Sequence, residues 1–78
     1  MDYRTFRGLL RRANVDVEVT DTLQQDQVTY YRLLLDAGKM NDLIVVESPG
    51  PQDTRCIRLY GALPPEALKE FQSWAEAH

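Results

Sequence analysis

The sequence is poor in the residues that most enzymes and metal sites use. It contains one cysteine, Cys56, and one histidine, the terminal His78. A single cysteine cannot form an internal disulfide, so we expect a cytoplasmic protein. A general base on a terminal residue is a poor catalyst because chain ends fray, and Cys56 has no internal histidine to activate it. The sequence therefore predicts a protein that is not an enzyme and that uses no metal or cofactor.

Long apolar stretches are also missing. The longest runs, 33-LLL-35 and 43-LIVV-46, fall far short of the ~20 residues of a membrane-spanning helix. The N-terminus has an early acid and no apolar core, so we expect no targeting segment. With 78 residues, 44% hydrophobic and 27% charged, the chain predicts one small globular domain over residues 1–78.

Charge is distributed unevenly along this acidic chain. The first 14 residues contain four arginines and one acid, whereas the remainder contains five basic and eleven acidic residues. A pI near 4.9 argues against general nucleic-acid binding and favours a protein partner with a basic surface. The arginines form either a solvated helix face or a secondary basic stripe that neutralises phosphates or an acidic partner. They are Arg4, Arg7, Arg11 and Arg12.

Helical patterns occur at both ends of the chain. Residues 2–13 have apolar side chains at helical spacing, with Asp2 as the N-cap and Asn14 as the stop. Residues 63–77 begin with prolines that suit a first helical turn. The predicted buried face of this second helix consists of Ala67, Leu68, Phe71, Trp74 and Ala75.

The segments between the helices predict strands. Residues 15–20 alternate apolar and polar side chains, the polar residues 21–27 predict a loop, and residues 43–48 and 55–60 predict two further strands. One segment, 28-VTYYRLLL-35, is ambiguous, and we consider it separately.

Residues 28–35 suit a strand or the end of a helix. The β-favouring run VTYY and the turn formers 36-DAGK-39 indicate a strand that enters a hairpin. Alternatively, a capping box at Thr22 and a C-terminal glycine would suit a helix over residues 22–37. We favour the strand.

The predicted fold is α+β, a helix, a four-stranded antiparallel meander and a second helix, with both helices on one face of the sheet. The charged Arg32, Glu47 and Arg58 decide which side faces the helices, because burying an unpaired charge is costly. The predicted inner face carries Val15, Val17, Val19, Tyr31, Leu33, Leu35, Ile44, Val46, Ile57 and Leu59. The predicted outer face carries Asp16, Glu18, Tyr30, Arg32, Leu34, Leu43, Val45, Glu47, Cys56, Arg58 and Tyr60.

The outer face is the predicted partner-binding surface, because aromatic residues and arginines are enriched at protein interfaces. The alternative is a purely structural ladder of ion pairs across the strands, formed by Glu18, Arg32, Glu47 and Arg58. The acids near one end of the sheet either solubilise the protein or mimic nucleic-acid phosphates. The predicted partner-binding residues are Asp16, Glu18, Asp21, Tyr30, Arg32, Leu34, Glu47, Arg58 and Tyr60.

The segments 4-RTFRGLLRRANVDVEVT-20 and 28-VTYYRLLL-35 carry a resemblance of architecture. With this order of elements, the chain resembles small phage-encoded inhibitors of the anti-CRISPR type. The resemblance implies a non-catalytic protein of the host-cell cytoplasm that blocks a nucleic-acid-binding complex. The order also resembles double-stranded-RNA-binding domains, but those begin their second helix with basic residues, and 64-PPEALKE-70 is net acidic.

Two further functions remain as alternatives to an inhibitory protein-binding module. If residues 22–37 form a helix, residues 43–61 resemble the wing of a winged-helix domain. Tyr30, Tyr31 and Arg32 would then be DNA contacts of a small nucleic-acid-binding regulator. The other alternative is a structural or adaptor subunit, a monomer or a homodimer that associates through its sheet.

Overall fold

A computed structural model describes residues 1–36 and 42–77. Two helices flank four strands, and a short 3-10 turn at Pro51–Asp53 precedes the last strand. The elements are α1 (Tyr3–Arg12), β1 (Val17–Gln25), β2 (Val28–Leu35), β3 (Leu43–Pro49), β4 (Arg55–Tyr60) and α2 (Pro65–Ala77). The strands form one antiparallel sheet in the order β1-β2-β3-β4, so the predicted α+β fold is confirmed.

Neither helix of the described ranges combines the length and the apolar content needed to cross a membrane.

Helix α1 begins and ends where the sequence predicts. The Asp2 carboxylate accepts a hydrogen bond of 2.8 Å from the Thr5 N–H, and this interaction holds the pKa of Asp2 below its ordinary 3.8. At the other end, Asn14 adopts the left-handed conformation with φ of 58°, which asparagine tolerates better than most residues. The helix buries Phe6 and Leu10 against the sheet.

Residues 28–35 form a strand. Thr29 of β2 lies opposite Glu47 of β3, and Leu33 lies opposite Leu43. The helical alternative over residues 22–37 is therefore wrong, and with it the premise of the winged-helix interpretation. The physical reason is that the β-favouring side chains of β2 find a partner strand in β3. Most of the predicted turn at 36-DAGK-39 lies outside the described residues.

The core lies between the two helices and one face of the sheet, called the inner face below. Residues opposite each other in antiparallel strands point to the same side, so the pairing of Leu33 with Leu43 places both on the inner face. The buried cluster consists of Phe6, Leu10, Val15, Leu33, Leu35, Leu43, Val45 and Ala67.

The predicted orientation of β3 is wrong. Leu43 and Val45, predicted to point outward, are fully buried at 0% exposure, whereas Ile44 and Val46 lie on the opposite face and are half-buried. The prediction turned β3 so that Glu47 would stay in solvent. In the structure Glu47 instead points inward and is satisfied there by polar partners.

The first strand is displaced relative to its prediction, which covered residues 15–20. Strand β1 runs through residues 21–25, which were predicted as a loop, and pairs with β2 as far as Gln25 opposite Val28. Val19 faces inward but is 41% exposed, so the core does not extend under this part of β1.

Helix α2 buries a narrower face than predicted. Ala67 is buried and Phe71 and Trp74 are half-buried, but Leu68 is 45% exposed and Ala75 is also exposed. The helix packs mainly against α1 and less against the sheet, which leaves one side of its apolar stripe uncovered.

The two adjacent valines of β3 test the observed orientation. Val45→Ala removes two fully buried methyl groups and should lower the free energy of unfolding by about 2–3 kcal/mol. Val46→Ala, the matched control on the opposite face, should cost less than about 1 kcal/mol. Urea denaturation of both variants measures the difference, and a larger cost at Val46 would contradict the orientation.

Candidate protein-binding surface

The face of the sheet opposite the helices, called the outer face, is organised in cross-strand rows. The registers of the three strand pairs place four residues side by side in each of two neighbouring rows. The first row is Leu23, Tyr30, Val46 and Arg58. The second row is Asp21, Arg32, Ile44 and Tyr60. Glu18 and its partner Leu34 continue this face at one end.

A β-bulge sets which residues of β1 belong to the outer face. The register of β1 with β2 shifts between Val19 and Asp21, so Thr20 is an extra residue. Val17 and Val19 face inward, and simple alternation would have turned Asp21 inward as well. Because of the bulge, Asp21 and Leu23 lie on the outer face instead.

Apolar side chains remain exposed on the outer face. Leu23 is 60% exposed, Tyr60 is 54% exposed and Tyr30 is 38% exposed. Ile44 and Val46 lie half-buried between them. A shallow depression of about 240 Å³ opens beside these side chains. Its lining consists of Asp21, Thr22, Leu23, Tyr30, Tyr31, Arg32 and Ile44.

The predicted ladder of ion pairs does not form. The Arg32 guanidinium pairs with Asp42, whose carboxylate accepts a hydrogen bond of 2.9 Å from Nε. Glu18 lies opposite Leu34, and Arg58 lies opposite Val46. Within residues 1–36 and 42–77, Asp21 and Arg58 have no ion-pair partner.

Glu47 does not belong to the outer face, so its predicted placement on that face is wrong. Its carboxylate accepts a hydrogen bond of 2.8 Å from the Tyr3 N–H and lies 3.5 Å from the Arg55 Nε. The first N–H groups of a helix have no partner within the helix and carry partial positive charge, so they attract a carboxylate. Glu47 therefore ties the start of α1 to the sheet.

Two tyrosines stack beside this contact on the inner face. The rings of Tyr3 and Tyr31 are parallel within 1°, with centroids 3.6 Å apart. Arg7 donates a hydrogen bond of 2.8 Å to the Tyr3 hydroxyl. Burial raises the pKa of Tyr31, and the negative charge of Glu47 raises it further.

The predicted basic stripe on α1 is divided by this network. Arg7 is half-buried through its contact with Tyr3, whereas Arg4, Arg11 and Arg12 are exposed. These arginines project from the helical layer, and none of them lies on the outer face.

The remaining predicted residues are placed as follows. Asp16 is exposed just before β1, where its backbone N–H donates to the Asp36 carboxylate at 3.2 Å. The outer face brings together Glu18, Asp21, Tyr30, Arg32, Leu34, Arg58 and Tyr60. The prediction missed Leu23, Ile44 and Val46, and the isolated apolar Leu23 in a polar segment was the one available signal.

Residues with catalytic or metal-binding chemistry do not cluster on this surface. Cys56 is half-buried and lies opposite Ser48 at the far end of β3 and β4. In the part of the chain that the structure describes, no three potential metal ligands lie together. The side chains that form the two rows of the outer face are apolar, aromatic and charged.

Comparisons with protein families, with curated proteins and with solved structures find no match to this chain.

Removing the Glu47 carboxylate should destabilise the fold. Glu47→Ala leaves the Tyr3 N–H without its acceptor and Arg55 without its carboxylate partner, and we expect a cost of about 1–3 kcal/mol in the free energy of unfolding. The control is Glu18→Ala on the outer face, which should change stability by less than about 0.5 kcal/mol. Equal costs in urea denaturation would contradict the assigned role of Glu47.

Tyr31 should make stability fall at alkaline pH. Its pKa in the folded state lies above the ordinary 10.0, so the stabilisation is complete below pH 10.0 and is lost as the pH rises through the folded-state pKa. In Tyr31→Phe this part of the alkaline decline should disappear, while the exposed Tyr60→Phe should retain it. Urea denaturation at neutral pH and above pH 10.0 measures the decline, and equal slopes in both variants would contradict this assignment.

Proposed function

We propose that this chain is a non-enzymatic protein-binding module that uses its outer face to cover a surface of another protein. The observation that supports the proposal is the set of exposed side chains Leu23, Tyr30 and Tyr60 on the sheet face opposite the helices. An exposed apolar cluster bordered by charges is typical of an interaction site. Tyrosine and arginine are also the residues that contribute most to interface energetics.

The proposed mode of action is inhibition by surface occlusion. A sheet face is a pre-organised surface, because its side chains stand on a hydrogen-bonded backbone and little entropy is lost when they bind. An inhibitor that covers the functional surface of its partner needs contact area and complementarity but no catalytic group. The two rows of the outer face supply such a contact area.

The acids at the β1 edge of the outer face support a partner with a basic surface. Residues 13–31 contain four acids and no lysine or arginine, and two of these acids, Glu18 and Asp21, lie on the outer face. Complementary charge accelerates association and disfavours wrong partners. With the architectural resemblance to anti-CRISPR inhibitors, this points to a nucleic-acid-binding complex in the cytoplasm of a phage-infected cell as the proposed partner.

Direct nucleic-acid binding is not proposed. That alternative required a helix over residues 22–37 to carry the DNA contacts, and this segment instead belongs to β1 and β2.

The outer face should be required for partner capture. In affinity purification from the native host, wild-type protein should retain a partner that the double variant Leu23→Ser, Tyr30→Ser loses. We expect a loss of about 30-fold or more in affinity, because truncated interface hot spots cost at least about 2 kcal/mol. Binding of the purified partner to immobilised variants measures this loss.

Two control variants lie on the helical side. Leu68→Ser removes an exposed leucine of α2, and Arg4→Glu reverses an exposed charge of α1. Both should bind like wild type. A partner that the outer-face variant still captures, or that the helical variants lose, would rule out the outer face as the binding surface.

A further inference from the structure

Two unpaired charges of opposite sign lie at opposite edges of the outer face. Asp21 belongs to β1 and Arg58 belongs to β4, which are the two edge strands of the sheet. Among the described residues, neither side chain has an ion-pair partner, whereas Arg32 between them is neutralised by Asp42. The outer face is therefore acidic toward one edge and basic toward the other.

A face with opposite charges at its two edges is complementary to a copy of itself. Two copies that pack face to face are related by a two-fold axis in the plane between the sheets. Under this symmetry each contact between two different residues occurs twice. If the axis runs parallel to the strands, β1 of one copy lies over β4 of the other and each row lies over itself. If the axis runs across the strands, β1 lies over β1 and β4 over β4.

Charge distinguishes between these two axes. The axis across the strands brings the acids of both β1 strands together and places the two Arg58 side chains along the same edge, and facing like charges are destabilising. The parallel axis places the acidic edge of each copy over the basic edge of the other. It is the arrangement in which Asp21 and Arg58 compensate each other.

We propose that the outer face binds a second copy of this chain, with the two-fold axis parallel to the strands. The row registers then place Leu23 over Arg58 of the second copy and Tyr30 over Val46 of the second copy. Asp21 lies two residues, about 6.8 Å, from Leu23 along β1. The long side chain of Arg58 of the second copy therefore reaches the Asp21 carboxylate across the ~10 Å between packed sheets.

The size of the face makes this dimer weak and reversible. Four strands about 4.8 Å apart and about six residues long give roughly 400 Å² of sheet per copy. A standard protein interface buries about 800 Å² per partner. The dimer therefore forms at high protein concentration and dissociates on dilution. A different protein that binds the outer face more tightly displaces the second copy. The inference rests on the proposed use of the outer face for binding and adds a dimeric state of the free protein.

The experiment is a charge swap followed by sedimentation equilibrium over a wide range of protein concentration. Wild-type protein should shift from monomer to dimer between about 10 µM and about 1 mM. Arg58→Glu alone and Asp21→Arg alone should each weaken the dimer about tenfold or more, because each places like charges opposite each other. The double variant Asp21→Arg, Arg58→Glu should return to within about threefold of wild type, because the pair is restored with reversed polarity.

A matched control and an independent measurement accompany the swap. Arg11→Glu reverses an exposed charge on α1 and should leave the dimer unchanged. Dilution of isotope-labelled wild-type protein should shift the NMR signals of Leu23, Tyr30 and Val46 and not those of α1, and this readout requires no variant to fold.

The proposal is overturned if wild type stays monomeric throughout the range, or if the double variant remains as weak as the single variants. It is also overturned if the dilution shifts map to the helices. These outcomes are distinct from a failure of the proposed function, which appears only in the capture experiment with Leu23→Ser, Tyr30→Ser. A protein that dimerises as described but captures its partner through the helices would retain the dimer and lose the proposed function.

Discussion

The pairing of Leu33 with Leu43 between β2 and β3 determines how the other elements are arranged. Both side chains are fully buried, and the register they share decides which side of the sheet the helices cover. A shift of one residue would turn every side chain of β3 to the opposite face. Val45 would then leave the core, and Glu47 would leave the N-terminus of α1.

The same register explains two exceptions to the usual distribution of side chains. A charged residue lies on the inner face, where a core is expected, and apolar residues lie on the outer face, where solvent is expected. On the inner face, β3 ends in Glu47, and the start of α1 lies over that end and supplies the N–H group that the carboxylate needs. On the outer face, Ile44 and Val46 have no layer above them in the described chain. Both helices lie on the inner face, so no described element covers the outer face. The exposed apolar rows thus follow from this one-sided arrangement, and binding is the use that we propose for them.

The sequence predicts most elements of this fold because their signals are local. Helix α1 has a cap and a stop, β2 has a dense run of β-favouring residues, and β4 was predicted with its observed bounds. The orientation of β3 could not be predicted, since a charged residue at Glu47 argues for solvent exposure unless its partners are known. Those partners, the Tyr3 N–H and Arg55, are distant in sequence or belong to another element.

The composition of the outer face was predicted only in part, for a related reason. Seven of the nine predicted residues lie on the outer face itself, because charged and aromatic residues reveal exposed positions. Ile44 and Val46 were missed, since the prediction kept Glu47 in solvent and alternation then turned them inward. Leu23 was missed because residues 21–27 were predicted as a loop, and the bulge at Thr20 that turns it outward leaves no sign in the hydrophobic pattern.

That bulge also affects how this surface can change during evolution. Deleting Thr20 would remove the bulge but keep the pairs on either side of it, Val19 with Leu33 and Asp21 with Arg32, so Asp21 and Leu23 would stay on the outer face. A slip of residues 20–25 by one position along β2 would instead exchange the two faces of this part of β1. Thr20 and Thr22 would then lie opposite Arg32 and Tyr30 in place of Asp21 and Leu23, without a single amino-acid substitution. Because this part of β1 is exposed on both sides, the core would tolerate the exchange. A one-residue slip at the bulge is thus a short route to a new binding specificity on an unchanged scaffold.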